Sequence, residues 1–321
     1  MEIISNPTLS EIKRAAKALI DGHLVAFPTE TVYGLGADAA NEKAVSRIYS
    51  VKGRPTDHPL IVHISSIEQS ESWAKNTPDY AIQLAREFWP GPMTLILKKS
   101  ALAKDFITGG QGTVGLRVPA HPVAQELLAA FERFGGSGIA APSANRFGAV
   151  SATSSDDVID EIGSLLLDDD VVIDGGPSRI GIESTIIDCI KDTPSVLRPG
   201  AITLKMIEKT LKTKLPADIE DTQIKFSGSF KSHYSPKAIV VLDQKPKPGD
   251  GFIALAEIST PTGTIRLASP SNIDIFARDL YAALRLADKQ NLSRIVIYTP
   301  KGGGISAAIR DRLERAGSKY N

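Results

Sequence analysis

Short apolar runs alternate with amphipathic helical patterns along most of the 321-residue chain, and that alternation restricts it to an α/β architecture. Thr8 with Glu11 three residues on forms a capping box. Leu9, Ile12, Ala16, Leu19 and Ile20 keep helical spacing, and Gly22 stops the helix. The apolar run 24–27, closed by Pro28, predicts a strand that delivers the chain into a polar loop at Thr29-Glu30-Thr31. Further strands are predicted over 60–64, 93–97, 113–118, 138–141, 171–174, 184–187 and 195–197, with helices over 41–51, 78–88, 122–134 and 154–162. A helix pattern over 201–211 gives way to a polar stretch without period, 216–231, which reads as a linker. Beyond it a smaller Rossmann-like α/β pattern has strands over 239–242, 252–255, 265–267 and 295–298 and helices over 273–289 and 306–315. The expected organisation is a larger α/β domain over 1–205, a linker or lid over 206–237, and a small domain over 238–321.

Lysine plus arginine equals aspartate plus glutamate at 37 each, so no global field draws the chain to nucleic acid or an anionic membrane. Any anion site must be built locally. The first residues lack the basic and apolar regions of an export signal, and no apolar run approaches the roughly 18 residues a bilayer span needs. The single cysteine, Cys189, lies in an apolar run and cannot form an internal disulfide, which favours a buried small hydrophobe and a cytoplasmic protein.

No Gly-Lys pair occurs, so a Walker P-loop is excluded and another phosphate device is required. Lys52-Gly53-Arg54-Pro55 supplies two cations on a turn, arranged either to converge on one anion or merely to decorate a helix C-terminus. Arg117 and Arg198 each lie in an apolar strand that runs into a proline, where an unpaired cation is costly. Each must meet an internal carboxylate or an anionic ligand. The turns at 142–145, 175–178 and 183–185 place small and hydroxyl residues where a ligand can approach backbone amides, or serve as ordinary turns. The five histidines are scattered without metal-ligand spacing, and His63 inside 60–64 reads first as a hydrogen-bonded core residue. No Gly-x-Ser-x-Gly elbow is present, and Gly302-Gly303-Gly304 reads as a strand-to-helix turn.

Together these segments resemble the YrdC-type threonylcarbamoyl-AMP synthases in their long, two-domain form. The resemblance runs through Pro28-Thr29-Glu30-Thr31-Val32-Tyr33-Gly34-Leu35, Lys52-Gly53-Arg54-Pro55, Pro59 to His63, Trp89-Pro90-Gly91-Pro92-Met93-Thr94, Gly115-Leu116-Arg117-Val118-Pro119, Pro142-Ser143-Ala144-Asn145, Glu183-Ser184-Thr185 and Leu197-Arg198-Pro199-Gly200. Ser232-His233-Tyr234-Ser235-Pro236 is similar to the linker motif of the long form.

The resemblance implies a twisted α/β domain with a concave basic face, over which the linker motif folds. It implies ATP contacts at Lys52, Arg54, His58, Thr113, Ser143, Asn145, Ser151, Arg198 and Tyr234, with Lys52 and Arg54 the catalytic cations. L-threonine is expected beside Thr31, His63, Arg117, Ala141 and Ser184, its carboxylate on Arg117. His58 stands where the motif usually carries asparagine, and an imidazole replaces only one of the amide's hydrogen bonds. The implied substrates are ATP, L-threonine and bicarbonate, with Mg2+ carried mainly by the phosphates and no dedicated protein metal site. The product would pass to a separate enzyme that transfers threonylcarbamoyl to tRNA. Double-stranded RNA binding without catalysis is the alternative, to be tested by salt-sensitive RNA affinity. A hydrogenase-maturation carbamoyltransferase needs cysteine-rich zinc modules that one cysteine cannot build.

Overall fold

The computed structural model describes residues 1–215, 224–226, 228 and 233–318. Most of the predicted linker tract 216–231, and Ser232 of the motif after it, lie outside the described residues. The chain runs β1 (Glu2–Ser5), α1 (Leu9–Ile20), β2 (Val25–Phe27), β3 (Gly34–Asp38), α2 (Glu42–Lys52), β4 (Ile61–His63), α3 (Ser70–Trp73), α4 (Asp79–Phe88), β5 (Met93–Lys98), α5 (Asp105–Thr108), β6 (Thr113–Arg117), α6 (Pro122–Arg133) and β7 (Ile139–Ala140). It continues through α7 (Ser155–Ile162), β8 (Val171–Asp174), β9 (Thr185–Asp188), β10 (Ser195–Arg198), α8 (Leu204–Leu211), β11 (Ile239–Leu242), β12 (Gly251–Ile253), β13 (Ile265–Ala268), α9 (Ile273–Lys289), β14 (Arg294–Ile297) and α10 (Ile305–Gly317).

Local chemistry sets the helix ends. Thr8 and Glu11 form the reciprocal capping box of α1, and Gly22 leaves the helix at φ 91°. Asn41 caps α2, and Gly53 ends it in the left-handed region at φ 62°, which turns the chain so that Lys52 and Arg54 follow different paths inward. The predicted helix over 201–211 begins only at Leu204, because the Thr203 side chain accepts from the Met206 amide and caps it there.

The first ten strands form one mixed sheet in the order β1-β8-β2-β3-β7-β4-β6-β5-β9-β10. Residues 34–38, given no element from sequence, form β3, held antiparallel against β2 and β7. Residues 2–5, also given no element above, form an edge strand parallel to β8. The adjacent strands β4 and β6 are parallel, with His63 opposite Arg117 at their carboxyl ends, where α/β sheets open ligand crevices. The last four strands form a separate parallel sheet, β11-β14-β12-β13.

The two sheets share apolar packing. Val32, Val150, Ile182 and Tyr234 lie in one buried cluster with Phe276, Leu280, Tyr281 and Leu284 of α9 and Ile309 and Leu313 of α10. The fit is close at Gly181: a Cβ there would come within 2.4 Å of the Arg278 Cα.

Candidate active site

A cavity opens where the β4 and β6 ends, the turn after β7, the start of β9 and the linker residues 233–234 meet. Its walls carry four cationic side chains, Lys52, Arg54, Arg117 and Arg198, which come from three separate segments of the chain. Thr31, His63, Ala141, Ser143, Ser184 and Tyr234 line it as well, so ten of the residues named from sequence meet around one space.

Lys52 is buried, and its ammonium donates to the Ser143 carbonyl at 2.6 Å and to the Asn145 carbonyl. An ammonium has three hydrogens, so the third remains for a ligand. Burial first, then the neighbouring Arg54 charge, pull the Lys52 pKa well below its ordinary value. Arg54 donates to the Pro59 carbonyl at 2.9 Å and lies over the Phe147 ring, and burial lowers its pKa to about 10. Both cations are desolvated in advance, so an incoming anion meets little competing water.

Arg198 Nε donates to the Ser184 carbonyl at 3.0 Å and its Nη2 to the Ser184 hydroxyl at 3.1 Å. The same hydroxyl is 2.8 Å from Thr94 Oγ1, which fixes Ser184 from behind. Of its sequence alternatives, Arg117 meets the internal carboxylate. It contacts Glu30 and donates to Thr31 Oγ1 at 2.9 Å, and still faces the cavity. His63 is buried beside it and edge-on to Phe27, and burial with the Arg117 charge pushes its pKa down to about 3, so the ring is neutral.

Four named residues stand back from the cavity wall. Thr113 opens β6 at the opposite end from Arg117, about 13 Å along the strand. Asn145 supplies its carbonyl to Lys52, while its amide nitrogen donates to Arg146 and Ala149 carbonyls and shapes the loop. Ser151 donates to Glu183 Oε1 at 2.6 Å. His58 packs its ring 6.2 Å from that of Phe147, which reaches the cavity through Arg54 and His233.

Glu183 and His233 line the cavity and were not among the site residues named from sequence. Burial pushes the Glu183 carboxyl up, but Arg312, Arg198 and the Ser151 hydrogen bond outweigh it and hold the pKa at about 2. Glu183 has a sequence signal only as part of the 183–185 turn. Its partner Arg312 lies 129 residues away. His233 packs edge-on to Tyr234 with ring centroids 4.1 Å apart, and burial, with Lys52, Arg54 and Arg198 nearby, lowers its pKa to about 3.

Residues 17–200 match the family model described as telomere recombination, covering Sua5, YciO and YrdC, and residues 202–318 match that of the threonylcarbamoyl-AMP synthase C-terminal domain. Fold, cavity and these matches define a nucleotidyl-transferring α/β enzyme. The threonylcarbamoyl-AMP synthase of Pyrococcus abyssi is 40% identical over 95% of this chain and 94% of its own, and that of Bacillus subtilis 37% over 95% and 92%. The solved structure of P. abyssi Sua5 complexed with L-threonine superposes with a TM-score of 0.87 at 37% identity, covering 99% of this chain and 97% of that one. The chain belongs to the threonylcarbamoyl-AMP synthase family, in its two-domain form.

Proposed function

We propose that the protein condenses L-threonine, bicarbonate and ATP into threonylcarbamoyl-AMP and pyrophosphate within this cavity. The observation that carries the reading is the convergence of Lys52, Arg54, Arg117 and Arg198 on one buried space. Threonine's amine and bicarbonate form a carbamate with loss of water. A carbamate oxygen then attacks the α-phosphorus, a new P–O bond forms, and the bond to pyrophosphate breaks.

Two anions must meet, so the site works by offsetting negative charge and by holding the reactants in line. ATP takes the side of Lys52, Arg54, Ser143, Arg198 and Tyr234; the side chains of His58, Thr113, Asn145 and Ser151 support that region from behind. Threonine takes the side of Thr31, His63, Arg117, Ala141 and Ser184, its carboxylate on Arg117 and its hydroxyl within reach of the neutral imidazole. The P. abyssi structure with L-threonine supports threonine as the amino acid.

Among the described residues no group of three or more His, Cys, Asp or Glu side chains could hold a metal ion. We take magnesium to be carried on the phosphates, whose oxygens can complete its octahedron together with water. Bound there, the ion would neutralise phosphate charge. His233 and Tyr234 roof the cavity and keep water from a labile carbamate.

Among the described residues no helix is long and apolar enough to cross a membrane. The reading places the protein in the cytoplasm, supplying a separate tRNA-modifying transferase. Incubation with ATP, magnesium, labelled bicarbonate and L-threonine should give a labelled threonylcarbamoyl-AMP by mass spectrometry. Pyrophosphate release that is independent of threonine would overturn the reading, and salt-sensitive RNA binding without ATP consumption would favour an RNA-binding role instead.

A further inference from the structure

The wall of an anion cavity is an unfavourable place for a carboxylate, yet Glu183 is there, 7% exposed and ionised. A negative charge facing a triphosphate would repel it, and in a low-dielectric site the effect is large. The structure resolves the conflict with residues from the second sheet's helices. Arg312 of α10, completely buried, donates from Nε to Glu183 Oε2 at 2.9 Å. Tyr281 of α9 donates to the same oxygen at 2.9 Å, while Ser151 occupies the other.

The same two side chains also seat the linker tyrosine. The Arg312 guanidinium lies 5.6 Å over the Tyr234 ring, and Tyr234 stacks on Tyr281 with centroids 5.7 Å apart and planes 25° apart. Tyr234 adopts φ 61°, a left-handed conformation that costs a non-glycine residue and persists only where surrounding contacts enforce it. The His233 amide donates to the Arg315 carbonyl, which ties the preceding residue to α10 as well.

We propose that Arg312 is a positioning residue for the nucleotide half of the cavity: it offsets the negative charge of Glu183, so that the phosphate end of the cavity keeps the positive potential that Lys52, Arg54 and Arg198 supply. The inference rests on the assignment of Arg198 to ATP made above. It gives the second unit a part in the reaction although Arg312 itself does not line the cavity. Without Arg312 the Glu183 charge would fall on the remaining cations, Arg198 first, and the region of the phosphates would lose one unit of positive charge.

Steady-state pyrophosphate release by the full chain tests this with Arg312→Ala, Arg312→Lys, the double variant Arg312→Met with Glu183→Gln, and Arg198→Ala as reference. Arg312→Ala should raise the KM for ATP about tenfold or more while leaving the KM for threonine within about twofold. Arg312→Lys keeps the charge and should recover most of the loss. The double variant is neutral at both positions and should bind ATP better than Arg312→Ala, which purely structural damage does not allow. If Arg312→Ala fails to fold, as judged by thermal melting, the lysine and double variants carry the comparison. A double variant as weak for ATP as Arg312→Ala, or equal rises in both KM values, would overturn the proposal. Should Arg198→Ala leave the KM for ATP unchanged, the nucleotide assignment itself fails; should it raise that KM while Arg312→Ala does not, only the role of Arg312 falls.

Discussion

Arg117 and Glu30 stand in ion contact inside the cavity wall, Nη2 to Oε1 at 2.7 Å, with both side chains under one tenth exposed. The contact is close but poorly aligned, and among the described residues neither atom makes a hydrogen bond. The Arg117 side chain also lines the cavity, where it can meet a ligand carboxylate. Arg117→Ala should weaken threonine binding by about 10²-fold and ATP binding far less, the scale of a lost charge-assisted bidentate contact. It should also cost about 3–5 kcal/mol of stability, because Glu30 is left buried without its counter-ion. Titration calorimetry showing equal losses for both ligands would remove Arg117 from the threonine side.

Arg54 and Arg198 approach the cavity from the turn after α2 and the end of β10. Replacing either with alanine should cut turnover by about 10²-fold or more, as for removal of a preorganised charge-stabilising donor. Near-normal pyrophosphate release by both variants would exclude them from the site.

Acid should destabilise the protein before most carboxylates titrate. His63 and His233 have pKa values near 3 in the folded chain against an ordinary 6.5, so below pH 6.5 the unfolded state binds protons that the folded state refuses. Each histidine then removes stability at up to about 1.4 kcal/mol per pH unit as pH falls from 6.5 toward 3. Glu183 adds to this lower down: its depressed pKa gives stability that is present above 4.5 and lost as pH falls toward 2. Melting temperature should therefore drop steadily from pH 6.5 to 5, and a His63→Gln and His233→Gln pair should flatten the slope. An already flat profile in the unsubstituted protein would contradict the buried neutral histidines.

Features written in adjacent residues were legible from sequence, and features written across the sheet were not. The Thr8–Glu11 box, the Gly22 stop and the whole of α9 were readable because caps and helical periodicity are local. The strand β3 escaped because Gly34-Leu35-Gly36-Ala37-Asp38 lacks β-branched residues; close approach makes it a strand, since a Cβ at Gly36 would meet Ile139 and Phe27 within 3 Å. At the site, cations stranded in apolar surroundings announced themselves, because such charges demand partners. Glu183 did not, because a carboxylate on a Ser- and Thr-containing turn is unremarkable until Arg312 and Tyr281 arrive from far along the chain.

Gly200 gives a sharper test of how tightly the Arg198 region is built. A Cβ there would fall 2.5 Å from the Thr185 amide nitrogen and 2.9 Å from the Glu183 carbonyl oxygen, both backbone atoms that cannot swing aside. Gly200→Ala should cost about 1–3 kcal/mol and reduce activity by displacing Ser184. Gly112→Ala, with nothing within 4 Å of its Cβ, should change stability by no more than about 0.5 kcal/mol. Chemical denaturation of the pair decides the matter: similar midpoints would mean that the β9–β10 region yields easily.

The cluster that Val32, Val150 and Ile182 share with α9 and α10 has a practical corollary for anyone dissecting the chain. A fragment comprising residues 1–205 would bare that oily face to solvent beside the mouth of its own cavity. Such a fragment should self-associate in sedimentation at concentrations where the intact protein does not, and polar replacements at Val32 and Ile182 should suppress the association.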